Sequence, residues 1–188
     1  MAGIISTDTL ATHSILSLTA NISFCVPLGI SIAASVRVGH GIGDERISDA
    51  KRTSVVGALM GFVYSAFNVA FVFSVKNFWG TIFTNDATVK SMVASYLPLM
   101  ALFNFVDAQQ CVLAGVMRGL GKQNLGAIFN FAAYWIVGLP TAYALAIVAS
   151  LELPGIWYGE TIGASVATAC QILYLKFKDW EQISRLTG

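Results

Sequence analysis

"NFVDAQQCVLAGVMRGLGKQ", Asn104 to Gln123, sets an acid and two amides near the middle of a long apolar run whose basic residues, Lys90 and Arg118, stand at its ends. A helix rising 1.5 Å per residue needs about twenty apolar residues to cross a hydrocarbon core of roughly 30 Å, and this run is long enough. Asp107 lies eleven residues before Arg118, hence roughly 16 Å of helix from that end, close to mid-membrane. An ionised Asp there costs about 2.5 to 3.5 kcal/mol on insertion scales, so it must be paired, hydrated or protonated. Its helical neighbours at i−3, i+3, i+4 and i+7 are Asn104, Gln110, Cys111 and Ala114, so a small and polar stripe faces a cavity or another helix. Asp107 is therefore a candidate proton or cation site; the alternative is an Asp tied to a Ser, Asn or Tyr of another helix purely as packing glue.

The rest of the chain repeats the pattern. Hydrophobic residues make up 56% of the 188 and charged residues 11%, against roughly 25% charged in soluble domains. The charges cluster between apolar stretches, which reads as an all-α, polytopic transmembrane helix bundle. Five spans are expected, at about 12 to 36, 53 to 75, 90 to 117, 125 to 148 and 155 to 175, forming one membrane domain over residues 1–188. Arg37, Arg46, Lys51, Arg52, Arg118, Lys122, Lys176, Lys178 and Arg185 fall on one face of such a bundle and only Lys76 and Lys90 on the other. The positive-inside tendency makes the first face cytoplasmic, with the N-terminus outside or lumenal and the C-terminus inside. Met1 to Leu10 reads as a loop between two helices, so the chain is expected to be the C-terminal part of something longer.

Other chemistry is thin. A net charge of +1 points to no nucleic-acid partner. Cys25, Cys111 and Cys170 lie in apolar runs without a CxxC, and His13 and His40 are far apart, so neither a metal site nor a nucleophile-base pair is expected; the chain reads as no enzyme, with no cofactor. "GHGIGDE", Gly39 to Glu45, follows a membrane span rather than a strand, and reads as a tight cytoplasmic turn instead of a dinucleotide loop. Glu160 is a second intramembrane acid, about six residues into its span, with Ala164, Ala167 and Gln171 continuing its face. In the fourth span Asn130, Tyr134 and Thr141 share a face, with Gly138 and Pro140 able to loosen the helix; Ser14, Ser17 and Asn21 form a stripe in the first, and Gly57 and Gly61 a GxxxG in the second.

Three ordered motifs then carry a resemblance. "PLGISIAASVRVGHGIGDERISDAKR" (27–52), "DAQQCVLAGVMRGLGKQNLGAIFNFAAYWIVGLP" (107–140) and "LPGIWYGETIG" (153–163) resemble the eighth-helix region, the tenth and eleventh helices, and the start of the twelfth in multidrug and toxic compound extrusion (MATE) transporters of the eukaryotic branch. The resemblance covers almost the whole chain. It implies an incomplete C-terminal lobe of a twelve-helix fold, helices eight to twelve, whose missing N-terminal lobe lies in the same or another chain. It further implies efflux of small organic cations or xenobiotics by antiport with H+ or Na+ across a plasma or vacuolar membrane. In that frame Asp107 matches the proton- or cation-coupling carboxylate, while Asn104, Gln110, Tyr134, Asn130 and Glu160 line the pathway; Glu160 departs from the commoner family pattern, so its role is not carried over. The competing expectation is a truncated, non-transporting membrane protein, or an interaction module, that needs a separately made N-terminal half.

Overall fold

The computed structural model describes residues 7–178 and Trp180; Arg185 and the first six residues of the expected opening loop lie outside them. Among the described residues there is no strand. Five helical rods follow one another: α1 (Thr7–Gly43), α2 (Ile47–Trp79, closed by a 3-10 turn at Gly80–Ile82), α3 (Ala87–Gly119), α4 (Gln123–Val148) and α5 (Glu152–Phe177). The stretches Thr7–Gly43, Ile47–Ile82, Ala87–Gly119 and Gln123–Val148 are long and apolar enough to cross a membrane. α5, at 26 residues, reaches about 39 Å. The bundle turns large apolar side chains outward, including Val63, Phe67, Ile136, Val148 and Phe177, each more than 60% exposed; this surface suits lipid, not water.

The helices outrun the apolar windows at both ends, because a backbone leaving the hydrocarbon still satisfies its hydrogen bonds by staying helical. Thr7 to Leu10 already belongs to α1 instead of a loop. The turn expected over Gly39–Glu45 begins only at Asp44: Gly39–Gly43 is the last stretch of α1, where Gly41 lets Ala50 of α2 approach to 3.1 Å of a Cβ position. The reversal is confined to Asp44–Arg46, with Glu45 at φ 58°. At the far end Asp86 caps α3, its carboxylate accepting from the backbone N–H of Thr88 (2.8 Å) and Val89 (3.0 Å). Gly121, at φ 68°, supplies the left-handed residue between α3 and α4.

Close-approach seams hold the rods together. Gly115 and Gly119 of α3 meet the backbone of Ser31 and Ser35 on α1; a Cβ on Gly119 would lie 2.6 Å from the Ser35 carbonyl oxygen. Ser31 Oγ donates to the Cys111 carbonyl (2.6 Å) and accepts from Arg118 (2.8 Å), so the same seam carries a polar clasp. Gly57 and Gly61 of α2 pack on Val112 and, for Gly61, on Gln109 of α3. Gly155, Gly159 and Gly163 of α5 meet Ala146, Ala142 and Gly138 of α4, backbone against backbone. α4 itself alternates α-helical turns with π-helical ones at Ala132–Gly138 and Ala144–Val148.

Two apolar clusters cap the interior. One gathers Leu16, Val93, Leu97, Met100 and Trp157; the other gathers Ala34, Val38, Ala50, Val116 and Leu120. On α1 and α3 the residues between them include Ser23, Asn104, Asp107 and Gln110, which form a polar layer at mid-height.

Candidate functional site

Asp107 and Gln110 are one helical turn apart on α3, and both face α4. Tyr134 donates its hydroxyl to Asp107 Oδ1 at 3.2 Å, at the long end for such a bond. Gln110 donates to Asn130 Oδ1 (2.8 Å), and Gln171 of α5 donates to the same oxygen (3.1 Å). Gln171 is completely buried and Gln110 nearly so. Asn130 thus ties three helices at one atom, and it does so one turn from Tyr134 because α4 runs antiparallel to α3. Gln109, a neighbour in sequence, points about 100° away and lies against Gly61 of α2.

On its other side Asp107 opens onto a cavity of about 250 Å³ between α1, α3 and α5. Its walls are Ser17, Asn21 and Phe24 from α1, Phe103, Asn104 and Asp107 from α3, and Trp157 and Glu160 from α5. Of the six residues expected at the site, Asn104, Asp107 and Glu160 line this cavity, Tyr134 stands behind Asp107, and Gln110 and Asn130 form the adjoining junction. Both acids therefore face one space. Among the described residues neither is in an ion pair; the ion pairs found join Arg46 to Asp44 and Asp49 at an exposed turn. No group of three His, Cys, Asp or Glu able to hold a metal occurs among the described residues.

Three contributors had little signal in the sequence. Trp157 contacts both Phe103 (ring centroids 5.5 Å) and His13 (5.7 Å), and Phe24 completes an aromatic wall. Aromatic residues in an apolar run read as core or lipid face until the partner helix is known. Gln171 stood out only as part of the Glu160 face. Thr141, by contrast, bonds back to the Val137 carbonyl of its own helix (2.7 Å).

Residues 1–144 match the family model described as MatE. The chain belongs to the MatE family. Human Multidrug and toxin extrusion protein 2 is 35% identical over 181 residues, covering 96% of this chain and 30% of that protein. The Uncharacterized transporter C4B3.13 of Schizosaccharomyces pombe is 38% identical over 165 residues, covering 88% and 30%. The chain thus spans about 30% of the length of these curated relatives. The crystal structure of the eukaryotic MATE transporter AtDTX14 superposes with a TM-score of 0.88 at 31% identity, over 96% of this chain and 41% of that one. A MOP superfamily transporter from Pyrococcus furiosus superposes at 0.85 with 12% identity, a likeness of fold alone. The helical bundle is that of a MATE transporter, and multi-pass membrane residence follows with it.

Proposed function

We propose that this chain is the C-terminal part of a transporter that moves organic cations or other xenobiotics out across a membrane in exchange for protons or sodium ions, with Asp107 taking the coupling ion. The observation that carries the proposal is the setting of Asp107. It lies at mid-height between two apolar clusters, faces a cavity, and has a single long hydrogen bond from Tyr134 and no cationic partner among the described residues. A carboxylate so placed is tolerable when hydrated, protonated or cation-bound, and those states differ by a unit of charge. Exchange couples to substrate only where ion and substrate have different affinities for the inward- and outward-facing forms. Asn104 and Glu160 line the cavity in this reading, Tyr134 restrains Asp107, and Gln110 and Asn130 fix the adjoining helices. A further lobe, in the same or another chain, closes the open side.

The basic ends of the helices face the cytoplasm, so α1 enters from the outside or lumen of a plasma or vacuolar membrane and α5 ends inside. In the polypeptide at its native length, Asp107→Asn abolishes ion-driven efflux of a fluorescent organic cation while leaving membrane insertion intact. Efflux at the wild-type rate would refute the assignment. Imposing a proton gradient and a sodium gradient separately on vesicles identifies the coupling ion.

A second reading is a non-transporting membrane protein that pairs with a separately made N-terminal half. An immunoblot of source membranes with an antibody to residues 176–188 decides. A band at the size of the longer relatives supports the transporter; a single band at the size of this chain supports the second reading.

A further inference from the structure

A second open space lies at the basic end of the bundle, away from Asp107. It is a groove of about 690 Å³ between α1 and α2, walled by Ile30, Ala33, Arg37 and His40 on one side and Arg52, Val56 and Met60 on the other, with Arg46 and Asp49 at its mouth. The two walls carry the same sequence of chemistry in opposite chain directions. On α1 Arg37, Ala33 and Ile30 sit at i, i−4 and i−7; on α2 Arg52, Val56 and Met60 sit at i, i+4 and i+8. Each ladder runs from a guanidinium near the Asp44–Arg46 turn to bare apolar surface roughly 10 to 12 Å deeper.

The charges are only partly answered from within. Arg46 pairs with Asp44 (2.6 Å) and more loosely with Asp49 (3.8 Å), whereas Arg37 and Arg52 make no ion pair among the described residues. Three guanidinium groups thus meet one carboxylate in the groove itself. All of Arg37, Arg52, Val56 and Met60 are exposed, so nothing in the bundle covers the groove.

We propose that this groove is a binding site for an anionic phospholipid, the phosphate held between Arg37 and Arg52 and one acyl chain laid along Val56, Met60 and Ile30. Charge complementarity selects an anion, and guanidinium forks suit phosphate oxygens. The depth of apolar wall directly beneath selects a lipid over a free phosphate, because a water-soluble anion gains nothing from Val56 and Met60. A basic pocket between membrane helices on the cytoplasmic side is where anionic headgroups are concentrated. Asp49 sharpens the choice by repelling an anion from the Arg46 side, which leaves the Arg37–Arg52 pair as the seat.

The site is tested on the polypeptide at its native length, placed in nanodiscs of phosphatidylcholine alone or mixed with phosphatidylglycerol, and released for native mass spectrometry. The expected result is retained phosphatidylglycerol in preference to phosphatidylcholine. Arg37→Gln and Arg52→Gln each lower retention about fivefold, the effect of about one charge near an anionic surface, and Arg37→Lys with Arg52→Lys restores much of it. Lys76→Gln, at the opposite end of the bundle, changes nothing. Equal retention of both lipids, or retention of phosphatidylglycerol unchanged in the double Gln variant, overturns the proposal. So does displacement of the lipid by inorganic phosphate at similar concentration, which would show a free-anion site. Cross-linking of Val56→Cys to another protein segment in source membranes would likewise overturn it and make the groove a protein interface.

Discussion

Gly119→Ala puts the α1/α3 seam to a quantitative test. The new Cβ would sit 2.6 Å from the Ser35 carbonyl oxygen, 2.8 Å from Val38 Cβ and 3.0 Å from Val38 Cγ1. Favourable carbon contacts lie near 3.5 to 4.0 Å, so the two helices must part by about 1 Å, and a gap of that size forfeits up to half the dispersion well of the facing atoms. Backbone carbonyl and β-branched Val38 cannot swing aside as a flexible side chain would, so the overpacking cost of about 1 to 3 kcal/mol applies. Alanine's helix propensity opposes it by roughly 1 kcal/mol. A net loss of up to roughly 2 kcal/mol remains, a shift of up to about thirtyfold in the folded to unfolded ratio. Equilibrium unfolding in mixed micelles, titrated with a denaturing detergent, reads that shift as an earlier midpoint. Gly29→Ala on α1 is the internal control, because nothing lies within 4 Å of its Cβ position and propensity alone remains. The reasoning fails if the two alanine variants unfold at the same midpoint, or if Gly119→Ala proves the more stable.

Other perturbations follow from the same geometry. Asp86→Ala removes the acceptor of two N–H groups at the start of α3 and should cost about 1 kcal/mol, seen in the same titration; Asp86→Asn should recover most of it. Asn130→Leu strands the buried amides of Gln110 and Gln171 at once, with an expected loss of about 1 to 3 kcal/mol for each, larger than for Gln110→Leu alone. Cys25 is exposed while Cys111 is buried. In detergent-solubilised protein a maleimide should therefore label the first and spare the second, and equal labelling would contradict the burial of α3.

The helical class was legible because the bilayer imposes it: apolar runs long enough to span cannot satisfy their backbone any other way. Asp107 announced itself for the same reason, as an acid with nowhere in its own helix to go. The resemblance put Tyr134 along the same pathway, but its bond to Asp107 was not legible, since the residues lie 27 apart and meet only through the α3–α4 turn. Glu160 could not be joined to Asp107 from the sequence, because its place depends on how α5 lies across α3, and Gly155, Gly159 and Gly163 seat α5 on α4 instead. Those glycines were visible, but glycine spacing names no partner. Of the expected Asn130, Tyr134 and Thr141 face, Asn130 and Tyr134 bond to neighbouring helices, while Thr141 bonds back within α4. The turn expected over Gly39–Glu45 comes only at its last two residues, because glycine in a membrane helix can mark close packing instead of chain reversal, and Gly41 does so.

The α4/α5 seam has a mechanical consequence. At Gly155, Gly159 and Gly163 the backbones meet with no long, flexible side chain between them, and interiors packed this tightly transmit displacement instead of absorbing it. The two helices form a strut. Tyr134 and Asn130 are mounted on one arm and Glu160, Trp157 and Gln171 on the other, so a push on either arm reaches both carboxylates together. Movement at Glu160 would therefore tug the hydroxyl at Asp107, although the two acids share no helix.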